Sequence, residues 1–484
     1  VNEPWLRLDP RMLLVHPLRE VVKFLPVLIG MVVAGGASGA GPWGVVGIGV
    51  PVVIGLVRYL TTSYRISESR VELRRGLVQR HTLSSGLDRV RSVDVTATVA
   101  HRALGLATLV IGTGSVATDG DEQLELDGLP REQADALRSR LLRLSTAPAG
   151  TTEPGAAPAA VPIARFSARW LWYAPFTSAG LVALGALVGV VGQTSEMVDL
   201  DLRISEDDLE AVTGLLLLGA VAAVAVLVVV VTVVGYLVVN GGFTLVREGG
   251  AWHVRRGLLT TRDTSIDETR VAGVSRGEPA GLRLARGARL SVIATGLARS
   301  GDASTILVPP AAQAVVAGAA EAVLGSPAPM SAALRPHGRA AVRRRYTRAL
   351  LGALPFAAAP VVLVAVGGPA WLLLGAALAA GVALALARDR ARALGHTLVD
   401  GFIVTRSGSL LRRRDALGTE HVIGWTFRDT WFQRRIGLTD VAATTAGGSG
   451  QVGVPDVPAE AAITWAGSAT PGLVDPFLTS SARV

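Results

Sequence analysis

Apolar and polar positions along this chain follow two different periods, and the two take turns three times. Long apolar runs come in pairs at 24–40 and 43–60, 171–191 and 213–239, and 350–366 and 369–387. Each is close to the ~20 residues a helix needs to cross ~30 Å of hydrocarbon. After each pair, apolar and polar residues alternate with period two, as in half-buried antiparallel strands. In the first such stretch Tyr64-Arg65-Ile66, Val71-Glu72-Leu73, Leu77-Val78-Gln79 and residues 90–99 carry the alternation. Arg74-Arg75-Gly76 reads as a hairpin break. After Pro130 the period becomes helical, with Ala134, Leu137, Leu141 and Leu144 on one face. The later stretches end the same way, through Pro309-Pro310 into 311–324 and through Pro455 and Pro458 into 459–465.

The recurrence is visible residue by residue. A glycine-anchored strand reads Gly105-Leu106-Ala107-Thr108-Leu109-Val110-Ile111-Gly112-Thr113-Gly114, then Gly287-Ala288-Arg289-Leu290-Ser291-Val292-Ile293-Ala294-Thr295-Gly296, then Gly437-Leu438-Thr439-Asp440-Val441-Ala442-Ala443-Thr444-Thr445. A turn glycine precedes each at nearly constant distance, as Gly76, Gly257 and Gly408. Self-similarity of this length sets the architecture. The expected class is a membrane α-helical protein of six spans in three hairpins, carrying three α+β domains. The expected divisions are 1–60 for the N-terminal segment and first hairpin, 61–145 for the first domain and 146–169 for a linker. The second hairpin then takes 170–239, the second domain 240–325 and a further linker 326–348. The third hairpin is placed at 349–387, the third domain at 388–470 and a frayed tail at 471–484. Both linkers read as flexible from their Pro, Ala, Gly and Ser content.

Composition and charge agree. Half of the 484 residues are hydrophobic but only 5% are aromatic, a palette of Ala, Val, Leu and Gly that suits bilayer helices. There is no cysteine, which excludes disulfides, thiolate metal sites and cysteine nucleophiles. The net charge of +9 is carried by arginine, with Lys23 the single lysine. Arg7, Arg11, Arg19 and Lys23 precede the first run, and Arg58 and Arg65 mark the end of the second. Arg165 and Arg169 precede the third, Arg343, Arg344, Arg345 and Arg348 the fifth, and Arg388, Arg390 and Arg392 follow the sixth. The positive-inside rule then puts both termini and all three domains in the cytoplasm of a multi-pass cytoplasmic-membrane protein. The connection 193–210 holds Glu196, Asp199, Asp201, Glu206, Asp207, Asp208 and Glu210, and reads as a solvated outer loop. The first run pairs with a second and lacks a small-residue cleavage site, so no signal peptide is expected.

Apart from Arg58 at the end of the second, the runs contain no Asp, Glu, His, Lys or Arg. Coupled transporters ordinarily need such a group facing a cavity. Small residues at helix-packing spacing, Gly35/Gly39, Gly185/Gly189 and Ala377/Gly381, read as close-contact seams. The seven histidines show no metal-ligand spacing, and no nucleophile elbow, P-loop or dinucleotide fingerprint occurs. No catalytic residue, cofactor or metal is therefore assigned.

The tempting site is a recurring basic cluster: Arg74, Arg75 and Arg80, then Arg255, Arg256 and Arg262, then Arg412, Arg413 and Arg414. An anionic leaflet attracts each such arginine by about 1 kcal/mol. Topology bias explains the clusters without further function, and contact with lipid headgroups is the functional reading. Nucleic acid is not a partner, because no aromatic stacking platform accompanies the cations.

Two segments carry a family resemblance. Trp431-Phe432-Gln433-Arg434-Arg435-Ile436-Gly437-Leu438-Thr439-Asp440-Val441 and His101-Arg102-Ala103-Leu104-Gly105-Leu106-Ala107-Thr108-Leu109 resemble the Gln-Arg-hydrophobic-Gly-Leu-Ala segment of the bacterial pleckstrin-homology-like (bPH2) family, formerly a domain of unknown function. A hairpin of spans before each domain resembles its multi-domain membrane members. The second copy departs: around Ala280 to Arg289 it has Arg283, Arg286 and Arg289 but no Gln-Arg pair. The resemblance implies a seven-stranded, bent antiparallel sheet closed by a C-terminal helix, and no enzymatic activity. It further implies roles in envelope stress or in tolerance of membrane-active peptides, and a smaller protein of the same family as one possible partner. The reading is a non-enzymatic membrane protein whose three domains bind protein or anionic lipid. The alternative is a transporter or exporter component with regulatory domains.

Overall fold

The computed structural model describes residues 5–13, 61–67, 70–75, 81–86, 92–112, 124–146, 161–177, 206–295 and 305–475, with Gly180 and Gly185. The expected spans at 24–40 and 43–60, the turn at Gly76 and the Gly35/Gly39 pair lie outside them. The chain divides into two compact units, one of Val1–Pro162, Gly241–Thr269 and Gly296–Ser304, the other of Ile163–Asn240, Arg270–Thr295 and Thr305–Val484. The cut falls inside 240–325, which the sequence had suggested as one domain.

In the first unit, β1 (Ser63–Ile66), β2 (Arg70–Arg75) and β3 (His81–Gly86) form an antiparallel meander, and Leu6–Arg7 pairs with β1. The strand β2 runs through Arg74 and Arg75, which the sequence places in a hairpin break. A second meander consists of β4 (Ser92–Ala97), β5 (Leu106–Gly112) and β6 (Leu124–Pro130). The short helix α1 (Val99–Ala103) sits between β4 and β5, and α2 (Arg131–Thr146) follows β6. Alternation sends Tyr64, Val71 and Leu73 of the first meander into one core with Val93, Val95, Leu109 and Leu126 of the second. Ala134 and Leu141 of α2 close that core, as their helical spacing predicts.

The same unit contains β7 (Thr244–Glu248), β8 (Ala251–Arg256) and β9 (Thr261–Asp267). The turn between β8 and β9 needs Gly257, at φ +100°, because a Cβ there would lie 2.0 Å from the Thr260 carbonyl oxygen. The strand β9 then pairs antiparallel with β4, from Thr261 opposite Ala97 to Ser265 opposite Val93. The third strand of one set thus covers the edge of the preceding set.

The second unit repeats this seam. It holds α3 (Glu206–Asn240), β10 (Val271–Pro279), α4 (Ala280–Leu284), β11 (Gly287–Ala294), β12 (Ile306–Ala312) and α5 (Gln313–Leu324). A hairpin of α6 (Gly338–Ala365) and α7 (Leu372–Ala393) follows. Next come β13 (Gly395–Val399), β14 (Phe402–Ser407), β15 (Leu411–Gly418), β16 (Gly424–Arg428), α8 (Trp431–Arg434), β17 (Leu438–Thr444), β18 (Gln451–Pro458) and α9 (Ala459–Ala469). The sheet order is β12-β11-β10-β15-β14-β13, with β16-β17-β18 as a separate three-stranded sheet. Arg412 lies opposite Glu278 and Leu417 opposite Gly273 across the β10–β15 seam. Gly408, at φ +95°, makes the turn before β15 as Gly257 does before β9.

Among the described residues the first and second sets each supply seven strands, a leading one (Leu6–Arg7 or Val161–Arg165) followed by two meanders of three, and the third supplies six; the strands of one set are divided between sheets rather than gathered in one. The left-handed residue before the central strand is Gly105 (φ +71°), Arg286 (φ +57°) and Gly437 (φ +66°). In the second set the anchor is therefore Arg286, not Gly287. Gly287 is required for another reason, since a Cβ there would come within 2.5 Å of the Tyr173 ring.

Among the described residues three helices are long and apolar enough to cross a membrane: Ala222–Asn240, Gly338–Ala365 and Leu372–Ala393. The expected run at 171–191 begins instead as a 3-10 helix, Ala168–Phe176, with Pro175 inside it and Trp170 and Ala174 buried. The acidic stretch is shorter than expected as a loop, because α3 starts at Glu206 and takes in Asp207, Asp208 and Glu210. In the α6–α7 hairpin Pro355 and Pro360 are accommodated within one helix. Ala377 and Gly381 face outward, and the buried small residues are Ala341, Ala349, Ala383, Ala387 and Ala393. Residues 326–337 are not a loose linker: Pro329 and Met330 are buried in a helical turn, and Arg335 bridges to His396. Past Ala469, Val474 is also buried, and Thr470 accepts a hydrogen bond from Trp425 Nε1 at 2.8 Å.

Gly273 marks the tightest point of the second seam, where a Cβ would stand 2.0 Å from the Ala416 carbonyl oxygen. Gly273→Val should lower the stability of the second unit by about 1–3 kcal/mol, the usual penalty for overpacking. The check is the denaturant midpoint of the detergent-solubilised full chain, followed by Trp425 and Trp465 fluorescence.

Candidate functional site

The nine arginines of the basic clusters meet different fates. Arg74 is exposed and lies over the Trp5 ring, 3.8 Å from its centroid. Arg75 is in β2, and Arg80 lies outside the described residues. Arg255 is exposed on β8. Arg256 is buried, and burial pushes its guanidinium down to about 10. It lies with half-buried Arg262 beside Asp94 in the first seam. Burial drives the Asp94 carboxyl upward, while the Thr264 hydroxyl, Arg262 and Arg256 oppose that shift. The second seam has the mirror arrangement, in which Ser275 Oγ donates to Asp415 Oδ1. Arg413 pairs with Asp415 at 3.1 Å and keeps half its side chain exposed. Arg414 is buried and donates to the carbonyls of Pro329 (2.9 Å) and Ala332 (2.8 Å), which fixes the 328–332 turn. Arg412 is drawn to Asp389 near the C-terminal end of α7.

Two carboxylates join the helical hairpin to the sheets of its own unit. Asp389 on α7 receives Arg283 in a bidentate pair at 3.0 Å, Ser409 Oγ at 2.8 Å and Arg412 at 2.5 Å. These donors hold its carboxyl in the ionised form. Asp456 is fully buried just before the end of β18 and holds a left-handed backbone, φ +60°. It pairs with Arg344 and, at 2.5 Å, with Arg345, both on α6. Gln433 Nε2 donates to Asp456 at 2.8 Å and to Asp440 at 2.7 Å, and its Oε1 accepts from the Thr430 amide in a capping box.

That places the glutamine of the Gln-Arg segment: it is a buried corner post, not a surface contact. In the first set the equivalent His101 is buried, with Nε2 3.2 Å from Asp127 and Nδ1 2.7 Å from the Thr98 hydroxyl. In the second set the position is Leu282, also buried, so the polar corner is replaced by an apolar one.

The residues that do come together around open space are Arg345, Arg348 and Arg390. With Leu394, Gly408 and Pro455 they line a cleft of about 260 Å³ between the bases of α6 and α7. Arg348 and Arg390 are exposed. The buried Nε of Arg345 has no hydrogen-bond acceptor among the described residues. From 349 to 387 the hairpin carries no charged residue, so the cleft lies at the edge of the apolar zone. In the sequence these arginines looked only like topology markers. The signal that could have found them is their equal distance from the Gly367–Trp371 turn, which folds the two basic ends onto each other.

The model of the bacterial PH domain family matches residues 19–145 and 349–466, slightly more than half of the chain, and the chain belongs to that family. Such domains are of a binding type and are not typically catalytic. The matched segments leave out the second set, whose corner lacks the polar pair. No curated protein and no solved structure matches the chain.

A buried histidine pair gives this unit a pH dependence. His396 Nδ1 is 3.0 Å from His337 Nε2, and the His396 ring stacks on Trp465. Burial, then the neighbouring His337 and Arg335, pushes His396 down to about 4, and burial lowers His337 as well. Both rings are neutral in the fold and protonate more readily once unfolded. Stability should therefore be full above about pH 6.5 and, through His396, fall by ~1.4 kcal/mol per pH unit toward pH 4, with His337 acting in the same direction. His396→Phe, which keeps the stack on Trp465, should flatten that acid limb in unfolding midpoints measured from pH 7 to pH 4.

Proposed function

We propose that this chain is a non-enzymatic integral protein of the cytoplasmic membrane that holds three bacterial-PH-like strand sets on the inner leaflet and binds anionic lipid there. The observation that carries the reading is the cleft of Arg345, Arg348 and Arg390 at the end of a hairpin free of charge. A phosphodiester headgroup offers the oxygens that these guanidinium donors lack, and Arg favours that geometry over a point charge. Around the same level, Thr430 accepts from Arg344 Nη2 at 3.4 Å, one helical turn before Arg348. It leads into Trp431 and Phe432, which are 52% and 69% exposed and pack edge to face. Arg435 covers the Trp431 ring at 4.0 Å. An amphipathic aromatic tip with an attached cation is suited to the headgroup zone. Exposed Leu351, Leu354, Phe356, Leu374 and Leu378 supply the lipid-facing surface of the hairpin.

The nine arginines picked out by sequence divide accordingly. Arg255 and Arg413, with exposed heads, remain candidates for loose headgroup contact, whereas Arg256, Arg412 and Arg414 act inside the fold.

The test uses the full chain in nanodiscs that mix phosphatidylglycerol with phosphatidylcholine, with co-purifying lipid counted by native mass spectrometry. Phosphatidylglycerol should be retained preferentially, and Arg348→Ala and Arg390→Ala should each weaken retention about fivefold, from ~1 kcal/mol per interfacial arginine. Equal retention of both lipids, or no change in the double variant, would refute the reading.

A further inference from the structure

Both seams obey one rule: the third strand of a set lies along the fourth strand of the set before it. The registers agree position for position. Thr261 is opposite Ala97 and Thr264 opposite Asp94 in the first seam. In the second, Arg412 is opposite Glu278 and Asp415 opposite Ser275. A hydroxyl and a carboxylate meet at the same place in each, as Thr264 with Asp94 and as Ser275 with Asp415.

The chain has three third strands, β3, β9 and β15, and three fourth strands, β4, β10 and β16. Two of each are used in the seams. Among the described residues β3 ends its sheet and β16 begins another, so each has one edge without a neighbouring strand.

The edge of β16 also keeps the space a partner would need. Gly424 corresponds to Gly273, whose absent Cβ makes room for the Ala416 carbonyl. Around Gly424 a Cβ would meet nothing within 4 Å. Near it Ile423 is 63% and Phe427 41% exposed. A bare strand edge with apolar flanks is a template for pairing.

We propose that the free edge of β16 receives β3 of a second copy of this chain, in the register of the two internal seams, so that copies join head to tail. The occupant follows from the count, because β3 is the third strand left over. Continuing the rule puts Ser85 opposite Gly424, Leu83 opposite Thr426, Thr82 opposite Phe427 and His81 opposite Arg428. The contact is heterologous, so it extends as a row or closes into a ring of copies.

The native chain has no cysteine, which makes the register directly readable. Full-length Thr82→Cys and Phe427→Cys chains, both altered at exposed positions, are mixed in dilute proteoliposomes and oxidised. Directly opposed residues on antiparallel strands stand within disulfide reach. The expected product is a disulfide-linked pair of one variant with the other. Yield should drop at least about tenfold, equivalent to 1.4 kcal/mol, when Gly424→Val is added to the Phe427→Cys chain. The thermal midpoint should not move, because the new side chain meets nothing in its own fold. Ser84→Cys in place of Thr82→Cys, two residue pairs out of register on the same face of the strand, should give little product.

Four results would overturn the proposal. One is no disulfide between copies. Another is a yield indifferent to Gly424→Val or to the shift from position 82 to 84. A third is a bond that forms only within one chain when the double variant is diluted. The fourth is capture of Phe427→Cys solely by a different membrane protein.

Discussion

The backbone pairing of one strand set with the next is the interaction on which this fold depends. A three-stranded meander has two bare edges, and each bare edge is a liability in water. Here the fourth strand of one set and the third strand of the next cover each other, with five residue pairs at β4–β9 and seven at β10–β15. Side chains seal the join. Thr261 Oγ1 donates to the Ala97 carbonyl, and Arg138 of α2 reaches across to Asp263 at 2.9 Å. The sets are therefore links of a chain more than separate domains, and stability passes between neighbours as it does in repeat proteins. It is also why the compact units cut through the second set: each seam draws one half of it toward a different neighbour.

Within the second unit the hairpin is tied to the sheets at two points, Asp456 on the α6 side and Asp389 on the α7 side. Neither carboxylate adds much net stability, since desolvation offsets most of the attraction in a buried pair. What they fix is direction. Asp389 takes a bidentate guanidinium from α4 and a second one from β15, so rotation of α7 about its axis would break both. Arg344 and Arg345 straddle one carboxylate that is itself held by Gln433, so α6 cannot slide along β18 without exposing a charge. A small apolar cluster of Ala341, Leu394 and Leu438 fills the space beside them. The hairpin and the third set consequently move as one body, and a tilt of the helices in the bilayer would tilt the sheet.

Much of the local structure could be read from residue order, and most of the long-range structure could not. Gly257 and Gly408 were legible because a positive φ in a tight turn excludes other residues. The helix Arg131–Thr146 was legible because its apolar spacing is unambiguous. Arg286 was not, since a non-glycine in the left-handed region gives no sign of itself, and the neighbouring Gly287 offered a false anchor. The arginines were the hardest. Arg413 and Arg414 are adjacent and chemically identical, yet strand alternation sends one to solvent and the other into the carbonyls of a turn more than 80 residues away. The seam itself was invisible because both of its strands look like ordinary half-buried strands. What distinguishes them is a partner more than 130 residues distant.

Short seams suffice here because the strand sets are linked in one chain. An isolated edge of five to seven residue pairs would associate weakly, as the entropy of bringing two domains together outweighs so few backbone bonds. Covalent linkage of one set to the next raises the effective concentration of neighbouring edges. Orientation is limited as well, since the hairpin clamps at Asp389 and Asp456 leave the third sheet little freedom to rotate. Under those conditions a modest pairing energy is enough to select a register, and the hydroxyl–carboxylate pair at the centre of each seam penalises a one-residue slip by leaving a buried carboxylate unsatisfied.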